Sequence, residues 1–213
     1  MQNYENSNHW LLIANSTPLS TTKLLTLAQN KRVLVLDGAY SHTKNISLTI
    51  DALSGDFDSI SADDLAQAKS TKITIIHTPD QNQTDLEKGI AYLDSLNAQS
   101  ITICAATEGR LQHSLFNLFL LKRCYRNNRA LTLYTEKEII RYLHDSDIHL
   151  QGNVGDSIGI LGFPLASITT NGLLYEVTDY LLDFARTSSV SNALACEQAF
   201  IKVKGDALLI HEV

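Results

Sequence analysis

Five short, nearly continuous apolar runs punctuate the first 140 residues: WLLIA (10–14), RVLVLD (32–37), KITIIHT (72–78), ITICAA (101–106) and ALTLYT (130–135). A strand with one wet face alternates apolar and polar side chains, whereas a strand covered on both faces need not. These runs therefore predict buried strands. Between them, stretches near 19–30, 61–70, 84–97 and 110–125 carry helical periodicity. Ser61 ahead of ADDLAQA supplies an N-cap, and Thr84 with Glu87 three residues on has the pattern of a capping box. Strand–helix alternation of this kind predicts a doubly wound, mostly parallel α/β sheet.

After about residue 145 the grammar changes. Helical periodicity disappears, and six of the ten glycines (152, 155, 159, 162, 172 and 205) fall in this part. SIGILGF, LASITT, LLYEVTDYLLDF, AFIKVKG and ALLIHEV are short, β-rich and separated by turn signals. A length of 213 residues suits one large domain or two small ones. The expected organisation is an α/β domain over 1–142 and a smaller all-β sandwich over 143–213. No internal repeat and no proline-rich linker is evident.

A net charge of −6 argues against nucleic-acid binding, which normally shows a basic face. No apolar run approaches the roughly 20 residues that span a bilayer, so no membrane partner is expected. The opening segment MQNYENSNHW lacks the basic and apolar regions of a signal peptide. Cys104, Cys124 and Cys196 are odd in number and form no CxxC pair, which fits reduced thiols. A cytoplasmic location is the expectation.

The acidic residues fall at telling places. Asp37 ends the run 32–37 and is followed by Gly38; Asp80 follows the run 72–78; Asp85 opens the next helical stretch. Asp56 and Asp58 flank Phe57 in an irregular segment between strand and helix. Ligands of open α/β sheets bind beyond the carboxyl ends of the strands, so Asp37, Asp56, Asp58 and Asp85 can converge there. Loop aspartates beside glycine are what a hard cation such as Mg²⁺ takes as ligands. The bland alternative is a solvated polar turn.

In the apolar stretch RLQHSLFNLFLLKRCY (110–125), which reads as a buried helix, Arg110, His113 and Asn117 share one face at i, i+3 and i+7. Arg110 near a helix start suits bidentate phosphate binding. A core His–Asn pair beside a surface arginine explains the same pattern, and a surface ion pair explains Asp85 and Lys88.

Taken together, these segments resemble the thiamine pyrophosphokinase family. The resemblance rests on DGA (37–39), GDFDS (55–59), DQNQTDLEK (80–88), EGRLQH with Asn117, TNGLLY (170–175) and VSN (190–192). It implies transfer of pyrophosphate from ATP to thiamine with Mg²⁺, by a homodimer with its active site at the subunit interface. It implies a catalytic domain over 1–142 and a thiamine-binding and dimerisation sandwich over 143–213. By position Asp56, Asp58, Asp85 and Arg110 match catalytic residues, the three aspartates also as metal ligands. Asp37, Gln81, Thr84, Lys88, His113 and Asn117 match ATP-site positions, and Ser191 and Asn192 match the thiamine-side segment.

Three positions depart from the family pattern: Ala39 and Glu108 stand where glycine is usual, and Gln112 where aspartate is usual. These departures keep a non-catalytic nucleotide- or thiamine-binding protein in view. Two other rivals are a pyrophosphokinase for a different alcohol, such as a hydroxymethyl pterin, and a phosphatase of the haloacid-dehalogenase type. The Asp-x-Asp motif of the last should directly follow an apolar strand, and ALSG (52–55) does not read as one.

Overall fold

The computed structural model describes residues 8–213, so most of the opening segment MQNYENSNHW lies outside the described residues. The chain divides into two compact units, the first ending at Glu136 and the second spanning Lys137–Val213. The architecture is mixed α/β.

In the first unit the strands are β1 (His9–Ile13), β2 (Arg32–Leu36), β3 (Ala52–Gly55), β4 (Thr74–His77), β5 (Ser100–Cys104) and β6 (Ala130–Tyr134). Helices α1 (Thr21–Ala28), α2 (Tyr40–Thr43), α3 (Ala62–Lys69), α4 (Asp85–Ser95) and α5 (Leu111–Arg123) alternate with them. The strand order is β6-β5-β1-β2-β3-β4, and every neighbouring pair is parallel. The chain moves outward from β1 through β2 to β4, then returns to the other side of β1 with β5. That reversal opens a crevice at the carboxyl ends of β1 and β5.

Burial on both faces explains the runs at β1, β2 and β5. The expectation of a buried strand at KITIIHT is corrected, because β4 is the edge strand and none of Thr74–His77 is buried, and β6 is buried only at Leu131 and Leu133. Leu11, Ile13, Val33, Val35 and Leu53 face one core together with Leu24, Leu27 and Ala68 of the helices. The alternate residues Leu12, Leu34 and Leu36 are equally buried, and α4 packs on β1, β2 and β3. Ser61 caps α3 by accepting from the Asp64 amide (3.1 Å), and Thr84 caps α4 by accepting from the Glu87 amide (3.3 Å). The Glu87 carboxylate is nearly buried and pairs with Arg123 of α5 (3.0 Å).

Two more expectations need correction. ALSG (52–55) is a strand, buried at all four positions. Its polar end hides it in the sequence; pairing with β2 on one side and β4 on the other makes it β3. The second concerns α5, which is not buried all round: only Leu120 and Leu121 are buried, while Leu111, Leu115 and Phe119 are exposed. An apolar helix surface need not be covered by its own chain.

The second unit is all β: β7 (Glu138–Gln151), β8 (Ser157–Asn171), β9 (Tyr180–Asp183), β10 (Ser188–Ala193) and β11 (Gln198–Glu212). They pair antiparallel in the order β10-β8-β11-β7, with β9 also on β8. Several short segments read from the sequence are halves of long strands. AFIKVKG and ALLIHEV both belong to β11, which bulges at Gly205 (φ +86°). A Cβ there would lie 2.7 Å from the Leu165 carbonyl oxygen, and the Gly205 amide donates to Asp145 Oδ1 at 2.7 Å. β7 already starts at Glu138, ahead of the expected boundary at 142–143. Loss of helical periodicity does not mark where one strand-rich segment passes into the next.

His211 of β11 is buried between Ile139 and Ile158, and its Nδ1 has no hydrogen-bond partner. Burial, helped by the Arg141 charge, pushes its pKa down to about 4. The unfolded chain takes up this proton near pH 6.5, so folding stability falls as pH drops from 6.5 towards 4. His211→Leu is expected to reduce that loss by roughly 2 kcal/mol between pH 7.5 and 4.5. Urea unfolding of both chains at the two pH values checks it; equal losses would mean that His211 is protonated in the fold.

Candidate active site

Asp37 follows β2 directly and starts a short 3₁₀ turn (Asp37–Ala39) that runs into α2. It is 3% exposed. Its Oδ1 accepts from the Gly38 amide at 2.6 Å and its Oδ2 from the Phe57 amide at 3.0 Å. Two glycines leave room for this arrangement. A Cβ on Gly55 would lie 2.5 Å from Asp37 Cγ, and one on Gly38 would lie 1.9 Å from Asn15 Nδ2. Ala39, where the family has glycine, has φ −75° and ψ −15°, which any L-residue adopts, so this departure costs the backbone nothing.

Asp56 and Asp58 follow β3 on a tight turn whose middle residue, Phe57, has φ +66°. A left-handed conformation at a non-glycine residue costs about 1–2 kcal/mol. Here the Phe57 amide on Asp37 and its ring stacked on His77 (5.7 Å, 18°) hold it in place. The turn brings one carboxylate oxygen each from Asp37, Asp56 and Asp58 within 4.8 Å of one another. Burial raises the Asp37 pKa, with the Asp85 and Asp56 charges adding to it against the two backbone hydrogen bonds. Asp56 shifts the other way: the Gln81 amide, donating to its Oδ2 at 2.7 Å, lowers its pKa. Three clustered carboxylates, one of them buried and resisting ionisation, fit a hard divalent cation that offsets their charge.

Asp85 lies outside this trio, and the structure gives its carboxylate to Lys88 (2.7 Å). Lys88 itself points inward, with its ammonium on the carbonyls of Thr78 (2.9 Å) and Asp80 (3.1 Å). The surface ion pair allowed by the sequence is thus half buried. Arg110 is the N-cap residue of α5 and is exposed. His113 lines the same cleft, and Asn117 donates to the Ala106 carbonyl (2.7 Å), bracing the β5–α5 loop. Neither forms the core His–Asn pair that the pattern also allowed.

An open cleft of about 690 Å³ collects these groups. Asp56, Asp58, Gln81, Thr84, Asp85 and Lys88 line it, with Arg110, His113 and Asn117. Acids thus meet a guanidinium and the amino end of α4, a setting able to hold a polyphosphate and its counter-cation. Gln112 is exposed in the first turn of α5 and is not among the lining residues. Glu108 is among them, at φ +63°. In the second unit, Ser191 is exposed within a bulge of β10 against β8. Asn192 is buried and spends its side chain on backbone: Nδ2 donates to the Tyr175 carbonyl (2.8 Å), and Oδ1 accepts from the Tyr175 and Ala193 amides (both 3.0 Å). It fixes the neighbouring turn.

The family model described as thiamin pyrophosphokinase, catalytic domain, matches residues 24–133. The chain belongs to the thiamin pyrophosphokinase family. The family's vitamin B1 binding domain model matches residues 145–209. Thiamine pyrophosphokinase 1 of Arabidopsis thaliana is 32% identical over 171 residues, 74% of this chain and 63% of the relative. Thiamin pyrophosphokinase 1 of Caenorhabditis elegans is 26% identical over 159 residues, 70% of this chain and 64% of the relative. The chain therefore matches just under two thirds of the length of these curated relatives. The crystal structure of thiamine pyrophosphokinase from Bacillus subtilis shares the fold, with TM-score 0.84 and 19% identity over 96% of this chain and 99% of that one. The yeast thiamin pyrophosphokinase structure gives TM-score 0.82 at 16% identity, over 97% of this chain and 86% of that one.

Sequence reasoning missed Asn15 and Ser16, which line the cleft just beyond β1. The Ser16 hydroxyl donates to the Thr107 carbonyl (2.6 Å) and is directed at that of Glu108, tying the β1 loop to the loop that carries Arg110. No motif marks them. Their position at the point where strand order reverses was the available signal.

Proposed function

We propose that this chain transfers pyrophosphate from ATP to thiamine, giving thiamine diphosphate and AMP. The observation that carries the reading is the cluster of Asp56 and Asp58 on the cleft wall with the buried Asp37 behind them, in a chain whose family is that of the thiamin pyrophosphokinases. In the reaction the thiamine alcohol oxygen bonds to the β-phosphorus of ATP. The bond from that phosphorus to the α-phosphate oxygen breaks, AMP leaves with the electron pair, and the alcohol proton passes to a carboxylate. Asp58 and Asp85 are the candidate acceptors. The three clustered carboxylates would hold Mg²⁺, which neutralises the charge of the transferring phosphates. Arg110 at the mouth of α5 would clamp phosphate oxygens, and Gln81 keeps Asp56 ionised and oriented. Such transfer is mainly positioning and neutralisation of charge.

We assign thiamine to the second unit, around Ser191 and the turn that Asn192 fixes. There the bends shared by β7, β8 and β11 are read as the corners of a β-sandwich. A homodimer is supported by the exposed apolar side chains Leu174, Tyr175, Phe184 and Val190 in this unit and by Leu111 and Leu115 on α5. Because β3 runs straight into Asp56, the strand criterion no longer sets this site apart from an aspartyl-phosphate-forming phosphatase; family membership does. Measuring AMP formed from ATP and thiamine, with and without Mg²⁺, tests the reading. AMP in stoichiometric yield with thiamine diphosphate, dependent on the cation, is expected; ATP turnover without thiamine diphosphate would overturn it.

Glu108 adds a negative charge to the cleft at a left-handed position where the family has glycine. Glu108→Gly removes both the charge and about 1–2 kcal/mol of backbone strain, offset by roughly 0.5–1 kcal/mol of chain entropy. A two- to fivefold lower KM for ATP with a nearly unchanged melting temperature is expected. Kinetics at low and high salt check it, since the gain should shrink as salt screens the lost repulsion. An unchanged KM at low salt would place the Glu108 carboxylate away from ATP.

A further inference from the structure

We propose that His77, the last residue of β4, is a positioning residue for the carboxylate turn: its ring, stacked on Phe57, keeps the turn in the form that sets Asp56 and Asp58 beside Asp37. The inference rests on the reading of this turn as the cation site. It adds a residue that lies outside every motif of the family resemblance.

The turn is strained at its centre. Phe57 has φ +66°, a conformation disfavoured for an L-residue by roughly 5- to 30-fold. Asp56 precedes it and Asp58 follows it, so the backbone at Phe57 decides whether the two carboxylates meet. In the left-handed form one oxygen of each stands within 4.8 Å of one from Asp37. With a negative φ the chain would leave Phe57 in another direction. The Phe57 amide would then turn away from Asp37 Oδ2, now at 3.0 Å, and Asp58 would leave the group.

Two contacts oppose that relaxation. One is the amide hydrogen bond itself. The other is made by the Phe57 ring, which packs at the margin of the core around Val35 and Leu53 and is stacked on His77. The two rings have centroids 5.7 Å apart and planes 18° from parallel. A stacked aromatic pair shifts an equilibrium by about two- to twelvefold, which is comparable with the strain it opposes.

His77 is placed to act as a fixed plate. It stands in register with Gly55, the residue before Asp56, and the Thr78 amide donates to the Gly55 carbonyl at 2.9 Å. β4 is an edge strand, and His77 is exposed and does not line the cleft. Among the described residues its ring nitrogens have no hydrogen-bond partner, so the side chain is committed to the stack. It acts on the turn from outside the cleft. A turn only partly in its binding form holds a cation more weakly in proportion, and saturating cation draws it back. The role therefore falls on cation affinity and not on the rate of the filled site.

Three variants test this. His77→Ala and His77→Gln remove the ring, the second keeping a polar side chain of similar length. His77→Phe keeps a flat ring without the nitrogens. The first readout is the ¹H–¹⁵N resonance of the Phe57 amide in the ligand-free protein, followed for exchange with water. The second is AMP formation from ATP and thiamine, titrated with Mg²⁺.

In the alanine and glutamine variants the Phe57 amide should exchange at least threefold faster, and the Mg²⁺ concentration for half-maximal activity should rise about three- to tenfold. Turnover at saturating Mg²⁺ should stay within twofold of the parent, and His77→Phe should match the parent in both readouts. Parental exchange in the two ring-less variants would overturn the proposal, as would equal losses in His77→Phe. Faster exchange with an unchanged Mg²⁺ dependence would also overturn it, by reducing the stack to a matter of stability. If His77→Ala does not fold, His77→Gln decides alone. If the parent chain forms no AMP, the ATP–thiamine reading fails, and exchange of the Phe57 amide still decides whether His77 holds the turn.

Discussion

Replacing either aspartate of the turn after β3, as Asp56→Asn or Asp58→Asn, is expected to lower turnover by about 10²–10³-fold, the loss typical of removing one preorganised electrostatic contact to a transition state. Folding should hardly notice. Asp58 is exposed and accepts from Ser59 (2.8 Å), and Asp56, though hydrogen-bonded to Gln81, stays close to solvent. Neutralising one member of a carboxylate trio also removes repulsion, so each variant should unfold within about 1 kcal/mol of the parent. Mg²⁺ titrations of AMP formation, paired with urea unfolding, separate the two effects. Raising Mg²⁺ should recover part of the loss if the missing charge weakened the cation's hold. Near-parental turnover in both variants at saturating Mg²⁺ would remove the cation from this turn.

How much of this was legible in the sequence depended on what decides each feature. β1, β2 and β5 were visible because a strand buried on both faces is apolar nearly throughout, and runs of five or six residues are too short for a buried helix. β3 was not, because Ala52, Leu53, Ser54 and Gly55 carry little strand preference of their own. They are a strand because β2 and β4 flank them, a long-range fact. In the second unit, bulges looked like turns, so β8 and β11 were each read as two strands. Only the partner strand shows that Gly205 bends a continuous ladder.

The site divided in the same way. Asp37, Asp56 and Asp58 could be singled out because glycine beside loop aspartate is a local signal. Whether Lys88 faces water or the crossing from β4 to α4 is not local, since helix spacing places it near Asp85 in either case. Asn192 shows a similar limit. Its segment was recognisable, but its full set of backbone hydrogen bonds, which leaves it holding a turn, follows from β10 lying beside residues 172–176.

The glycine that opens GDFDS makes the second large prediction. At Gly55 the backbone is an ordinary strand, so the constraint is space and not conformation. An added Cβ would lie 2.5 Å from Cγ, 2.6 Å from Oδ2 and 2.7 Å from Cβ of Asp37. Asp37 cannot simply swing aside, because both its oxygens are held by backbone amides and the side chain is buried. Gly55 cannot retreat either: its carbonyl accepts from Thr78, and it stands in register with His77 of β4. Either the carboxylate leaves the trio or the strand end moves, and both spread the cluster that would hold the cation. Gly55→Ala is therefore expected to cost about 1–3 kcal/mol of stability, the usual penalty of overpacking. Turnover should fall at least a hundredfold, and the Mg²⁺ concentration for half-maximal activity should rise at least tenfold. Gly89→Ala is the matched control. The atoms nearest to its Cβ would be the flexible ends of Leu12 and Leu36, at 3.2 Å, inside a helix where alanine is preferred by about 1 kcal/mol. That variant should keep parental turnover and Mg²⁺ dependence. If Gly55→Ala does the same, Asp37 is not part of the working cluster, and its raised pKa reports burial alone.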